Sequence, residues 1–127
     1  MNRELEHGLI VTTGDATVVI AAKLMRQYDV GLLAVLDGTA PDMRKFSGLV
    51  TDRDLVTEVT ALELDPGTIT VGDLVQNGLT GHRAQGEVRQ AFHELNARGI
   101  RDVRVARNGE VTGVIEVAEV LIALGEA

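Results

Sequence analysis

The chain contains an internal repeat, and this repeat constrains the fold more than any other feature of the sequence. Val35 matches Val105 at an offset of 70 residues, whereas Gly48 matches Gly113 at an offset of 65. The offsets differ because 70 − 65 = 5 additional residues lie in a loop of the first copy. One copy alone is too small to bury the apolar face of its own sheet. We therefore predict two copies that stack with pseudo-twofold symmetry and leave two equivalent clefts between them.

Each copy has the same order of predicted elements, namely helix, strand, strand, helix, because apolar residues recur at helical spacing in the outer segments and form continuous runs in the inner ones. In the first copy the helices are predicted at residues 17–28, with Thr17 as N-cap, and 52–60, and the strands at 30–36 and 46–51. In the second copy the helices are predicted at residues 86–98 and 116–124, the strands at 101–106 and 111–115, and a short connecting helix at 71–75. The predicted fold class is α/β, with residues 1–62 as the first repeat, residues 63–127 as the second, and both together as one globular module.

The charge of the chain excludes several classes of partner. The net charge is −7 and the pI about 4.8, whereas nucleic acids and anionic membrane surfaces are bound by Lys and Arg stripes. The chain has no cysteine, which excludes disulfides and thiol catalysis. No apolar run approaches the ~20 residues of a membrane span, and the first residues lack the apolar core of a signal peptide. We therefore predict a cytoplasmic protein that binds neither nucleic acid nor membrane.

Neither a metal site nor a catalytic centre is predicted. His7, His82 and His93 lack the spacing of metal ligands. No Ser-His-Asp or Cys-His arrangement can be assembled from the chain. We expect no enzymatic activity and no resident cofactor.

The stretch GLVTDRDLV, residues 48–56, ends an apolar run with Thr51 and places Asp54 three residues later. Thr51 followed at this spacing by an acid is close to a capping box, in which both side chains serve the helix and no ligand is needed. Alternatively, the hydroxyl and the carboxylate face a cleft and bind a ligand. The two interpretations are compatible, because Thr51 can start the helix while its side chain and that of Asp54 face outwards.

These segments resemble a tandem pair of cystathionine-β-synthase (CBS) domains, often called a Bateman module. GLVTDRDLV resembles the family's most recognisable motif, residues 16–37 resemble its first helix and strand, and residues 86–121 resemble a second copy. The resemblance implies βαββα repeats and a regulatory role. It also implies an adenosine-containing ligand in the cleft between repeats, with AMP, ADP or ATP as the expected ligand here.

The resemblance also assigns residues to that ligand. It implies that Thr51 and Asp54 hold the ribose hydroxyls, within a motif that includes Gly48 and Val50. The chemistry agrees, because a charged carboxylate accepts strong hydrogen bonds from two neighbouring hydroxyls and a threonine hydroxyl both donates and accepts. Arg53 is the candidate phosphate partner, since a guanidinium group binds phosphate in a fork.

The second copy departs from the motif. In GVIEVAEVL, residues 113–121, Glu116 stands at the position of Thr51 and Glu119 at the position of Asp54. An ionised Glu116 cannot donate a hydrogen bond, and its charge opposes phosphate. Arg104 could pair with Glu116 and fill this degenerate second cleft with a salt bridge, or both side chains could point to solvent. We therefore expect at most one strong nucleotide site per chain.

Two helix faces, residues 21–25 and 121–125, carry more apolar side chains than one small sheet would cover. Members of the family usually associate further, and symmetric dimers are the commonest oligomers, so we predict a homodimer. A structural or interaction module without a small ligand, acting through its dimer surface and a partner protein, is the alternative function.

Overall fold

The computed structural model describes residues 5–36, 45–76 and 85–125. The strands in these ranges are β1 Ile10–Thr13, β2 Leu32–Leu36, β3 Phe46–Thr51, β4 Asp102–Arg107 and β5 Glu110–Glu116. The helices are α1 Val18–Tyr28, α2 Asp52–Leu55, α3 Val71–Gln76, α4 Gln85–Ala97 and α5 Val117–Ala123, and a π-helical segment, Val56–Thr60, continues α2. The α/β fold class is confirmed, and every element except β1 lies at its predicted place, with ends shifted by at most two residues.

β1 is the strand that the apolar pattern did not predict. Its four residues, Ile-Val-Thr-Thr, are all β-branched and all buried, which suits a strand in the middle of a sheet. Ile10 and Val11 join different core clusters on opposite faces of the sheet. The run is too short for periodicity to identify it, and its β-branched composition between Gly8 and Gly14 was the available signal.

The five strands form one sheet in the order β3-β2-β1-β4-β5. β2 and β3 form an antiparallel hairpin, as do β4 and β5, and both β2 and β4 run parallel to β1. A two-fold axis along β1 therefore relates the two hairpins and exchanges the faces of the sheet. The predicted pseudo-twofold arrangement is thus achieved within a single sheet, with the two repeats joined edge to edge through β1 rather than stacked as separate units.

The two hairpins match each other in register. Each contains a β-bulge at the same place, between Val35 and Leu36 in the first and between Val105 and Ala106 in the second. The pairs Leu32↔Thr51 and Leu36↔Phe46 correspond to Asp102↔Glu116 and Ala106↔Val111. These correspondences keep the offsets of 70 and 65 residues found in the sequence.

Helices cover both faces of the sheet. One face packs against α4 and α5, and the other against α1, α3 and the π-helical segment. The start of α3 lies directly against the loop after β1, where the Gly72 N–H donates to the Gly14 carbonyl over 2.9 Å. None of the helices in the three described ranges is long and apolar enough to cross a membrane.

The two edge strands differ in their cover. β3 is buried along nearly its whole length and packs against α3 and α4, whereas most of β5 is exposed. Val114 on β5 is 61% exposed, and Ile122 on α5 is 67% exposed. Val114 is therefore in solvent, whereas Leu49 at the equivalent position of the first repeat is fully buried.

The apolar face predicted at residues 21–25 is not available to a second chain. Ala21, Leu24 and Met25 are all buried in the core of their own chain. That part of the argument for a dimer is wrong, because these side chains share one core cluster with residues of β1, β2 and α3. At residues 121–125, Ile122 alone is a large apolar side chain that stays exposed.

Candidate functional site

Thr51 ends β3 and caps α2, and Asp54 closes the cap. The Asp54 N–H donates to Thr51 Oγ1 (3.0 Å), and the Thr51 N–H donates to Asp54 Oδ2 (2.8 Å). Thr51 has extended backbone angles (φ −100°, ψ 162°), as an N-cap residue requires. The pair is a complete capping box with Asp in the place usually taken by Glu or Gln.

The capping box leaves limited chemistry for a ligand. Thr51 is only 4% exposed, and its oxygen already accepts one hydrogen bond, so it retains its hydroxyl hydrogen as a donor. Asp54 is partly exposed, and among the described residues no group donates to its second oxygen, Oδ1. Asp54 Oδ1 is therefore the acceptor of this pair that a ligand could use.

A cleft of about 680 Å³ lies beside the start of α2. Asp52 and Arg53 at the start of α2 line it, and so does Arg26 near the end of α1. The Asp52 N–H donates to the Gly31 carbonyl over 3.0 Å, which fixes α2 against the start of β2. Two arginines from different helices therefore line one cleft.

The cleft is also lined by Glu6, His7 and Asp29. His7 Nε2 lies 3.8 Å from both Glu6 Oε2 and Asp29 Oδ2. Asp29 ends α1 with φ 53°, and Gly99 takes a positive φ at the equivalent position 70 residues later. None of the three was predicted as a binding residue from the sequence, and the only available signal was the alignment of Asp29 with Gly99.

The predicted ligand residues are not all brought together. Arg53 lines the cleft, but Thr51 and Asp54 are not part of its wall. Val50 is fully buried in the core, and Gly48 pairs with Val35 inside the hairpin. Gly48 and Val50 thus belong to the strand that leads into α2, and neither lines the cleft.

The second copy lacks the equivalent cap. Glu116 is the N-cap residue of α5 but makes no side-chain capping hydrogen bond, and both it and Glu119 are exposed. The backbone arrangement is nevertheless repeated, because the Val117 N–H donates to the Arg101 carbonyl over 2.8 Å. The two copies therefore share a backbone and differ in the side chains at the helix start.

The salt bridge considered between Arg104 and Glu116 does not occur among the described residues. The Arg104 guanidinium carbon instead lies 4.7 Å from the centre of the Tyr28 ring, a cation–π distance. Register explains this, since Arg104 pairs with Val114 while Glu116 pairs with Asp102 at the end of the hairpin. The alternative that Arg104 points into solvent is not observed either, because Arg104 is half-buried.

His93 is exposed on α4, and His82 lies outside the described residues. Within residues 5–36, 45–76 and 85–125, no group of three or more His, Cys, Asp or Glu side chains is arranged to hold a metal ion.

Residues 3–61 match the family model described as CBS domain. This segment, which is the first predicted repeat, is a CBS domain. The resemblance inferred from GLVTDRDLV is thereby confirmed, and the length of 127 residues is consistent with a tandem pair. The matched range contains α1, the first hairpin and the helix that Thr51 caps.

The chain is also similar to named proteins at low sequence identity. It is 26% identical over 119 residues to "Hypoxic response protein 1" of Mycobacterium tuberculosis, covering 93% of this chain and 80% of the relative. A crystal structure of Hypoxic Response Protein I with two coordinated zinc ions is 25% identical, with a TM-score of 0.45 and coverage of 87% and 86%. CBS domain protein PAE2072 from Pyrobaculum aerophilum, complexed with AMP, is 21% identical, with a TM-score of 0.46 and coverage of 93% and 92%.

Proposed function

We propose that this protein is a regulatory module, not an enzyme, that binds an adenine nucleotide (AMP, ADP or ATP) in the cleft beside α2. The observation that carries the proposal is the presence of Arg26 and Arg53 in the wall of one cleft of about 680 Å³. That volume is in the range of small-molecule sites, roughly 300–1,000 Å³. Guanidinium groups are the side chains best suited to bind phosphate in a fork.

The ribose is assigned to Asp54, with Thr51 as the residue that orients it. Asp54 Oδ1 accepts from the ribose hydroxyls while Oδ2 stays bonded to the Thr51 N–H. Asp52, which lines the cleft next to Arg53, is the second carboxylate that a ribose could reach. The nucleotide would therefore lie across the first turn of α2, with its phosphate on the arginine side.

Titration calorimetry with AMP, ADP and ATP tests the proposal. We expect at most one strong site per chain, because the second copy has Glu116 at the position of Thr51. A nucleotide present at ~100 times its Kd would also raise the free energy of unfolding by about 2.7 kcal/mol. Arg53→Ala should weaken binding about tenfold or more, as expected for loss of a charged hydrogen bond of ~1.5–3 kcal/mol.

Arg101→Ala is the matched control, because it removes the same charge from an exposed position that does not line the cleft. Two equal sites per chain, or equal affinities for the Arg53 and Arg101 variants, would contradict the proposal.

We further propose that the protein forms a homodimer. Support comes from Val114 and Ile122, which are 61% and 67% exposed. These exposed side chains also favour the alternative function, a ligand-free interaction module, if the titration finds no nucleotide site.

A further inference from the structure

One wall of the cleft is built by the short segment that precedes β1. Leu5 is fully buried in the core cluster under α4 and α5, while Glu6 and His7 line the cleft. The chain then turns at Gly8, which has φ 88° and donates its N–H to the Leu5 carbonyl over 2.8 Å. The position of Glu6 and His7 in the cleft therefore depends on how this turn is held.

Arg98, which directly follows α4, holds this turn from the second half of the chain. Arg98 Nη1 donates to the Leu5 carbonyl (2.7 Å), and Arg98 Nη2 donates to the Glu6 carbonyl (2.8 Å). Both hydrogen bonds come from a charged donor and are therefore stronger than neutral ones. The planar fork of guanidinium spans two successive carbonyls, which a lysine ammonium cannot do with the same geometry.

We propose that Arg98 is a positioning residue for the ligand cleft, through which the second repeat fixes one wall of the site in the first. This inference rests on the proposed function for the identity of the ligand. A wall that is ordered before binding lowers the cost of immobilising it in the complex. Loss of Arg98 should therefore weaken binding although Arg98 itself does not line the cleft.

The first test compares AMP affinity by calorimetry in the full chain and three variants. Arg98→Ala should bind AMP roughly fivefold more weakly or worse, the lower end of typical coupling between sites. Arg98→Lys should fall between Arg98→Ala and the wild type, because it restores the charge but not the fork. The control is Arg101→Ala, because Arg101 is exposed and lies three residues after Arg98. Its affinity for AMP should stay within about twofold of that of the wild type. Equal affinities of Arg98→Ala and Arg101→Ala would overturn the proposal.

The second test needs no ligand. Hydrogen exchange of the Gly8 amide, followed by NMR, reports whether the turn is held, because this N–H bonds to the Leu5 carbonyl. Exchange should accelerate in Arg98→Ala and not in Arg101→Ala, and unchanged exchange in Arg98→Ala would show that burial of Leu5 alone holds the wall.

The two tests separate the two proposals. If the wild type binds no nucleotide, the proposed function fails and the ligand half of the Arg98 inference fails with it. The Gly8 exchange still decides whether Arg98 positions the wall. If AMP binds and Arg98→Ala changes neither affinity nor exchange, the proposed function stands and the Arg98 inference alone is overturned.

Discussion

Thr51 and Asp54 stabilise the start of α2 whether or not a ligand is bound. Their reciprocal hydrogen bonds satisfy two backbone N–H groups at the start of α2, where a helix has no internal partners for its first N–H groups. A carboxylate that acts only on the helix dipole contributes ~0.3–1 kcal/mol. The direct hydrogen bond to the Thr51 N–H makes Asp54 more important for stability than that.

We predict that Asp54→Ala lowers the free energy of unfolding by about 1–3 kcal/mol. The reason is that Thr51 is buried and its N–H loses its hydrogen-bond acceptor. Glu119→Ala, at the equivalent position of the second copy, should change it by less than about 0.5 kcal/mol, since Glu119 is exposed. Urea unfolding of the wild type and both variants measures these differences, and equal losses in the two variants would contradict the capping geometry.

Asp54→Glu separates capping from ligand binding at the same residue. Glu is a usual capping-box partner, so the free energy of unfolding should stay within about 1 kcal/mol of the wild-type value. The longer side chain moves the second carboxylate oxygen, so nucleotide affinity should fall. Unchanged stability with unchanged affinity would mean that Asp54 serves the helix alone.

At the scale of elements, the most restrictive contact joins the loop after β1 to the start of α3. A Cβ atom placed on Gly72 would lie 2.7 Å from the Gly14 carbonyl oxygen, a distance that forces backbone to move. We predict that Gly72→Ala lowers the free energy of unfolding by about 1–3 kcal/mol through overpacking, despite the better helix propensity of alanine.

Gly86→Ala is the control for that prediction. Gly86 is also helical, but a Cβ atom there meets nothing within 4 Å, so the substitution should be neutral or stabilising by up to about 1 kcal/mol. Thermal or urea unfolding of both variants decides the point, and a stabilised Gly72→Ala would show that the two elements are not in the contact described.

At the scale of the whole molecule, the asymmetry between the two edges of the sheet bears on assembly. α3 and α4 cover β3, whereas β5 is mostly exposed and Ile122 of α5 projects into solvent. Exposed apolar groups of this kind mark interaction surfaces when they form part of a larger patch.

We predict that light scattering at micromolar concentration gives a mass near two chains of 13.6 kDa, and that Ile122→Glu lowers it to one chain, because a charge cannot be buried there unpaired. Leu62→Glu, at another exposed apolar side chain (54%), should leave the dimer intact. A wild-type mass of one chain would exclude the dimer, and equal effects of the two substitutions would place the interface elsewhere.

The family resemblance, the fold class and nearly all the elements could be predicted from the sequence, because each depends on local patterns of residues. The offsets of 70 and 65 residues reappear in the paired residues and bulges of both hairpins, and the Thr51–Asp54 spacing already contained the capping box. The elements and the capping box depend on residues a few positions apart, and the repeat shows in the sequence because both copies keep the same local pattern.

The tertiary structure alone decided how the repeats join and what surrounds the cleft. β1 lies at the centre of the sheet because it pairs with β2 on one side and β4 on the other. Arg104 packs on Tyr28 rather than beside Glu116, and the carbonyls of Leu5 and Glu6 are held by Arg98, more than 90 residues away along the chain. Each of these contacts joins residues that are distant in the chain. No local pattern specifies them, because they form only when the sheet and helices pack around a shared core.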